Sequence, residues 1–209
     1  QGHRTSVFDL ATLYPPMRRD EVGNWLVHGS VFRALLSIMQ LGLRRGGISQ
    51  DPTAERAIFC ATCRWLAGAW LSGMAEGCDY EIIFDVEHFK NCLTAGFTKS
   101  FRLPTGAVAI DQDLSPMFFL HVSTTLTNVC LWSRPKDPSH MRDWKKYGFK
   151  CWKCKTQLPP GTKMCLKDKC LLPQSHESQL EWNRKVLPEM VGRFERSSFS
   201  SGTVLLEPI

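Results

Sequence analysis

Apolar residues recur at helical spacing in the segment VFRALLSIMQL, which covers residues 31–41. Leucine, isoleucine and methionine fall three and four positions apart there, as they do on the buried face of an amphipathic helix. Ser30 precedes the segment and belongs to a residue type that caps helix N-termini, whereas Gly42 follows it and belongs to a type that ends helices. The pattern therefore predicts a helix over residues 31–41, capped by Ser30 and stopped at Gly42.

Short apolar segments rich in aromatic and β-branched residues predict strands elsewhere in the first two thirds of the chain. They cover residues 56–62, 80–86, 99–103, 107–110 and 117–122. Turn residues separate the last three at 104–106 and 111–116, and further helices are expected over 65–74 and 178–193. The predicted fold class is α+β.

The chain changes character over residues 133–148, whose sequence SRPKDPSHMRDWKKYG is charged, contains two prolines and lacks an apolar period. Such a segment is typical of a linker. We therefore expect a main domain over residues 1–132, a linker over 133–148, and a basic cysteine segment with a C-terminal helix over 149–209. A chain of 209 residues is long enough for one core and a small metal-stapled module.

The composition restricts the kind of partner and the cellular compartment that we expect for this chain. A net charge of +6 and a pI near 8.9 suit an anionic partner. There is no run of about 18 apolar residues and no secretory signal pattern, which argues against a membrane-spanning segment. Nine cysteines, an odd number, favour reduced thiols and a metal site in the cytoplasm or nucleus over a disulfide framework. Because the chain begins at Gln1 inside a motif, we also expect an upstream portion.

Four cysteines form two close pairs in the C-terminal third. Cys151 and Cys154 are separated by two residues, and Cys165 and Cys170 by four, with a Pro-Pro-Gly turn at 159–161 between the pairs. Four thiolates arranged in this way can close a tetrahedral zinc site and fold a segment too small for its own core. Reduced, unliganded cysteines are the alternative.

Six lysines surround these thiols, together with Trp152. The lysines are Lys150, Lys153, Lys155, Lys163, Lys167 and Lys169. They could form an electrostatic footprint for RNA or DNA with a stacking ring, or a solvated surface on a zinc knuckle that has Trp152 as its small core. The other cysteines are expected to be buried core thiols, and they are Cys60, Cys63, Cys78, Cys92 and Cys130.

The tripeptide His28-Gly29-Ser30 runs directly into the predicted helix. A glycine lets a ligand approach the backbone closely, a helix N-terminus offers N–H groups, and a histidine can hydrogen-bond a ribose hydroxyl. The alternative is a glycine turn with a serine cap.

In context, this tripeptide resembles part of the RNA 2′-phosphotransferase family, which has Gln-Gly-His-Ser, then His-Gly-Thr, then a helix ending in Gly-Leu. The corresponding stretches here are Gln1-Gly2-His3-Arg4, His28-Gly29-Ser30 and Gly42-Leu43, in the same order and at similar separations. Poly-ADP-ribose polymerases share the second and third stretches but not the first. The resemblance covers about residues 1–125.

The resemblance implies an ADP-ribosyltransferase-like split mixed β-sheet with flanking helices, which uses NAD as co-substrate. The Gly29 backbone would hold the nicotinamide amide, and His28 and Ser30 would contact ribose. Arg56 and Arg102 would be catalytic together with His28.

The same resemblance implies an RNA substrate, such as spliced tRNA, that carries a 2′-phosphate. Arg56, Arg102 and His3 would bind this phosphate, which attacks the nicotinamide ribose and releases nicotinamide. The chain departs from the family in carrying Ile58 and Cys60 where the strand motif has histidines, and in lacking the N-terminal RNA-binding lobe.

Three functions follow from these observations. The first is an NAD-dependent RNA 2′-phosphotransferase. The second is an ADP-ribosyltransferase acting on protein or on nucleic-acid ends, which a glutamate near the nicotinamide ribose would favour. The third is a zinc-containing nucleic-acid-binding or interaction protein in which the transferase fold has lost its activity.

Overall fold

The computed structural model describes residues 10–45, 57–64, 71–74, 77–167, 169–175 and 184. This part of the chain is α+β, and its strand pairings are antiparallel. The helices are α1 (Leu10–Leu13), α2 (Phe32–Leu41), α3 (Val86–Thr94) and α4 (Trp144–Tyr147). The strands are β1 (Val27–Ser30), β2 (Ile58–Cys60), β3 (Tyr80–Phe84), β4 (Ser100–Arg102), β5 (Val108–Ile110), β6 (Phe119–Thr124), β7 (Cys130–Ser133), β8 (Phe149–Lys150) and β9 (Gln157–Leu158). None of the described helices is long and apolar enough to cross a membrane.

Two sheets meet at β1. The larger has the order β1-β3-β6-β7 and the smaller has the order β2-β5-β4. Within the described residues, one bridge joins them, in which Val27 and Ala61 exchange two backbone hydrogen bonds of 3.0 and 2.8 Å. A continuous apolar core, which includes Leu35, Met39 and Ile82, packs α2 against these strands.

Helix α2 confirms the predicted helix and its stop. Gly42 ends it with φ of 85°, and a Cβ atom at that position would overlap the Leu114 carbonyl oxygen. The predicted Ser30 cap is wrong, because Ser30 is the last residue of β1 and Val31 occupies the cap position without a side-chain bond. Asp79 supplies the missing acceptor instead, since its carboxylate accepts the Phe32 N–H at 2.8 Å.

Four of the five predicted strand segments contain an observed strand, β2 to β5, and the fifth, over residues 117–122, overlaps β6, which extends to Thr124. Strands β1 and β7 and helix α3 were not predicted. Of the helix expected over residues 65–74, residues 71–74 form a turn and the rest lie outside the described residues. The helix expected over residues 178–193 also lies outside them, apart from Arg184.

The predicted linker and the cysteine segment pack directly on the main sheet. Residues 133–148 contain a 3-10 turn at Pro138–Met141 and the short helix α4, and Met141 is buried. The Trp132 indole N–H donates to the Pro160 carbonyl at 2.7 Å. Leu158 and Met164 belong to the same apolar cluster as Trp132, so the core continues from the sheet into the cysteine segment. The division into domains stays a prediction.

Candidate functional site

The four cysteines of the C-terminal segment lie together. The Sγ atoms of Cys151, Cys154, Cys165 and Cys170 are all within 4.8 Å of one another. The Cys151–Cys170 and Cys154–Cys165 sulfur pairs are 3.8 and 3.6 Å apart. A tetrahedral zinc with Zn–S bonds of about 2.3 Å places its sulfur ligands about 3.8 Å apart. The cluster is therefore compatible with a metal site, for which zinc is plausible.

The backbone explains how each pair converges. In the first pair the Lys155 N–H donates to the Cys151 carbonyl at 3.0 Å, and in the second the Cys170 N–H donates to the Lys167 carbonyl at 3.0 Å. The residue after each second cysteine is left-handed, with φ of 59° at Lys155 and 40° at Leu171. Both pairs thus end in a turn that directs two thiols towards one point.

The thiols differ in acidity. Burial opposes ionisation of Cys154, yet hydrogen bonds with Thr156 and with neighbouring thiols lower its pKa to about 6. Its Sγ lies 3.2 Å from the Thr156 hydroxyl oxygen. Burial raises the pKa of Cys165. Metal ligands bind as thiolates, so a divalent cation would stabilise the ionised form at every position.

The surface around this cluster is basic. Of the six lysines singled out from the sequence, five are exposed and Lys163 is half-buried. Trp152 is 59% exposed, and its indole N–H donates to the Pro173 carbonyl at 3.1 Å. It is therefore not the small core of the knuckle, a role that Leu158, Met164 and Leu166 fill with no exposure.

The histidine of His28-Gly29-Ser30 lies on strand β1 rather than in a turn. Its Nδ1 is 2.9 Å from the Phe59 carbonyl oxygen. Burial lowers the pKa of His28, and the bond to Phe59 partly opposes this. The imidazole is therefore favoured in its neutral form, which has one donor and one acceptor nitrogen.

Gly29 lies where the two sheets separate. Val27 directs its N–H and C=O towards Ala61, and in a strand the residue two positions on directs its own groups the same way. The register would place Gly29 opposite Phe59, but the Val27–Ala61 bridge is isolated and β2 pairs with β5. Beyond this bridge β1 and β2 separate, and the Gly29 N–H and C=O face the gap between them, here called the split.

One face of Gly29 is covered by the chain itself. A Cβ atom there would lie 2.6 Å from Met74 Cε and 2.8 Å from Cys78 Sγ, closer than real Cβ contacts. A larger residue at position 29 would have to displace these side-chain atoms. A ligand of Gly29 would have to reach it along the strand edge rather than over this face.

On the opposite face of β1, Ser30 lies across from Tyr80 on β3. The Tyr80 hydroxyl is buried without a hydrogen bond of good geometry to the described residues. Burial raises its pKa, and the nearby Ser30 hydroxyl opposes this. A buried hydroxyl without a good partner is uncommon in proteins and marks a place where a further polar group would be accommodated.

A buried ion pair beside Gly29 was not predicted. Glu81, opposite Gly29 on β3, is 2% exposed and accepts a hydrogen bond from Arg64 Nε at 2.9 Å. Arg64 also donates to the Asn128 side chain at 2.7 Å and lies 5.8 Å from the centre of the Trp25 ring. The sequence signal was a single glutamate inside the apolar strand YEIIF.

Arg102, one of the two arginines predicted to bind phosphate, does not lie at β1. Arg102 lies on β4, which β5 separates from β2, and its guanidinium donates to the Glu21 carbonyl. At about 4.8 Å per strand, β4 is about 10 Å from β2. Arg56 and His3 lie outside the described residues. The phosphate clamp stays a prediction.

The other cysteines follow the prediction in part. Cys60 and Cys78 are buried, and Cys92 and Cys130 are half-buried. Cys63 is exposed, so its expected burial is wrong. It comes after the bridge at Ala61, where β2 has ended.

No protein-family model matches this chain, and no match was found among curated proteins.

Proposed function

We propose that this chain is an NAD-dependent transferase of the RNA 2′-phosphotransferase type, with a zinc-stabilised C-terminal module. The observation that carries the proposal is the split between β1 and β2 at Gly29. A backbone N–H and C=O that point together from a strand edge match the C=O and NH₂ of a primary carboxamide, the group that nicotinamide carries.

The neighbouring residues suit the rest of the nicotinamide riboside. Neutral His28 donates from Nδ1 to the Phe59 carbonyl, so its Nε2 can accept a hydrogen bond from a ribose hydroxyl. Ser30 and the buried Tyr80 hydroxyl add polar groups on the same face of β1. A site of this kind acts mainly by positioning its substrates.

The proposed reaction needs little proton transfer by the protein. An oxygen of the RNA 2′-phosphate bonds to the ribose C1′ of NAD⁺, while the C–N bond breaks and its electron pair leaves with nicotinamide. The adjacent ribose hydroxyl then attacks phosphorus and displaces the RNA 2′-oxygen, which takes up a proton. Four cysteine ligands would leave zinc no open position, so its role would be structural.

The test uses the 209-residue chain, NAD⁺ and a short RNA with one internal 2′-phosphate. Nicotinamide release and RNA mass are followed together for the wild type, His28→Ala and Arg102→Ala. The control variants are His88→Ala, on α3, and Arg18→Ala, whose side chain is 75% exposed. Loss of the phosphate with wild-type protein and controls, but not with His28→Ala, supports the proposal. Nicotinamide release without a change in RNA mass indicates a different acceptor.

A nucleic-acid-binding protein without transferase activity is the second candidate. It is favoured by the covered face of Gly29 and by the Arg102 side chain, which is already bonded to Glu21. RNA binding without NAD⁺ binding, measured by ligand-observed NMR, would support this candidate against the first.

A further inference from the structure

Positive charge is concentrated in one part of the molecule. Residues 144–175 contain eight lysines and one aspartate, a net of +7, so the rest of the chain together carries −1 against the total of +6. Seven of the eight lysines are exposed, and they are Lys145, Lys146, Lys150, Lys153, Lys155, Lys167 and Lys169. A field of one sign on a small module attracts a polyanion.

Exposed rings lie among these lysines. Tyr147, Phe149 and Trp152 are 42, 38 and 59% exposed, and they are the large exposed hydrophobic side chains of residues 144–167 and 169–175. Leu158, Met164 and Leu166 are buried, and Leu171 and Leu172 are half-buried. The surface formed by exposed residues 145–155, here called the basic aromatic surface, thus combines cations with flat rings.

Trp152 is held in place before any partner arrives. It follows the cluster residue Cys151 directly, and its indole N–H is bonded to the Pro173 carbonyl. The Lys155 ammonium donates to the Trp152 carbonyl at 2.8 Å and fixes the backbone of the same turn. A ring with a fixed orientation loses little conformational entropy when a flat partner stacks on it.

We infer that the basic aromatic surface binds single-stranded RNA, with bases stacked on Trp152 and phosphates contacted by Lys150 and Lys153. The inference rests on the proposed function only for the choice of RNA as the strand. Lysine gives point-charge contacts to phosphate, and every base has a face that can stack, so binding should depend little on sequence.

The same features argue against an anionic membrane. Membrane-surface elements bury aliphatic side chains as well as aromatic ones. Among the described residues of this module, the large exposed hydrophobic side chains are rings, whereas Leu171 and Leu172 are half-buried. The Trp152 N–H is directed to Pro173 rather than to a lipid headgroup.

The experiment measures binding of a fluorescently labelled 12-nucleotide oligouridylate to the zinc-loaded 209-residue chain by anisotropy, without NAD⁺, at several salt concentrations. The variants are Trp152→Ala, Trp152→Phe and the double variant Lys150→Gln/Lys153→Gln. The matched controls are Phe97→Ala, a ring 75% exposed after α3, and Lys99→Gln, an exposed lysine nearby. Zinc content and circular dichroism establish that each variant is folded.

We expect Trp152→Ala to weaken binding by about 5- to 150-fold, since one stacked base contributes about 1–3 kcal/mol. Trp152→Phe should restore part of the loss. The double lysine variant should make the slope of log affinity against log salt less steep by about 1.4, because each of the two lost phosphate contacts contributes about 0.7 to it.

The inference is overturned if Trp152→Ala binds as the wild type does, if Phe97→Ala and Lys99→Gln weaken binding equally, or if RNA is not bound at all. Binding to phosphatidylserine vesicles but not to RNA would also overturn it and would assign the surface to membranes. Because NAD⁺ is absent, a failure here leaves the transferase proposal untouched, and loss of nicotinamide release would leave this result untouched.

Discussion

Gly161→Ala tests the contact between the cysteine module and the main sheet. Gly161 has φ of +84°, and a Cβ atom there would overlap the Ser133 carbonyl oxygen. Gly106, in the turn between β4 and β5, has the same φ of +84° and no atom near the position of a Cβ. Gly106→Ala therefore carries the same backbone strain without the overlap.

The expected magnitudes follow from these two environments. The left-handed conformation costs a non-glycine residue about 1–2 kcal/mol, a cost that both variants share. Relieving the overlap at Gly161 must also displace the Ser133 N–H to Gly161 carbonyl bond and the bond from Trp132 to Pro160. Each such bond contributes about 1 kcal/mol, and more when a buried donor is left without a partner. The free energy of unfolding of Gly161→Ala should thus be about 2–4 kcal/mol lower than that of Gly106→Ala.

Urea denaturation followed by circular dichroism and by tryptophan fluorescence measures both variants at one zinc concentration. The difference in the free energy of unfolding between Gly161→Ala and Gly106→Ala is the quantity of interest. If the two variants lose the same stability within about 0.5 kcal/mol, the usual limit for independent sites, the module is not seated on β7 as described.

Three further changes test the metal cluster, the buried ion pair and the strand histidine. Cys154→Ala should abolish the binding of one zinc per chain and leave the module unfolded. Structural zinc contributes about 10–16 kcal/mol to folding, which is at least as much as the stability of a typical domain. Metal analysis and circular dichroism measure both effects. Arg64→Met should lower the free energy of unfolding by about 3 kcal/mol, since it leaves a buried carboxylate without its partner; urea titration measures it. His28 has a pKa lowered from 6.5 by burial, so the unfolded chain binds that proton more readily and stability should fall as the pH drops below 6.5; His28→Gln should reduce this dependence in urea titrations at pH 7.5 and 5.5.

The cluster and ion-pair variants each have a control. Cys63→Ala removes an exposed thiol outside the cluster and should keep the zinc. Arg45→Met breaks an exposed ion pair with Asp111 and should cost at most about 1 kcal/mol. Zinc retained by Cys154→Ala, equal losses for Arg64→Met and Arg45→Met, or an unchanged pH dependence in His28→Gln would contradict the corresponding explanation.

Local signals in the sequence were sufficient for several elements. Helix α2 shows its apolar spacing and ends at a glycine whose φ of 85° other residues rarely adopt. Strands β2 to β6 are short apolar segments between turns, and the α+β class followed from them. The four-cysteine cluster followed from spacing alone, because two close pairs joined by a short turn have few other ways to arrange their thiols.

Long-range contacts account for what was missed. Ser30 was expected to cap α2, but Asp79, 47 residues away along the chain, accepts the Phe32 N–H instead. The Arg64–Glu81 pair joins residues from two segments that sequence periodicity treats separately. Helix α3 had a local signal that was overlooked, since the Asp85 side chain caps it by accepting the His88 N–H at 3.0 Å.

The packing of the cysteine module on β7 also protects the sheet edge from pairing with another copy of this chain. Strand β7 is the last strand of its sheet, and an uncovered last strand offers its backbone to the edge of another molecule. Here the Ser133 N–H donates to the Gly161 carbonyl, and the Leu131 carbonyl accepts the Lys163 N–H at 2.9 Å. The cysteine module therefore occupies the edge at which a second sheet would add, and protein that loses its metal should become prone to edge-to-edge aggregation as well as less stable.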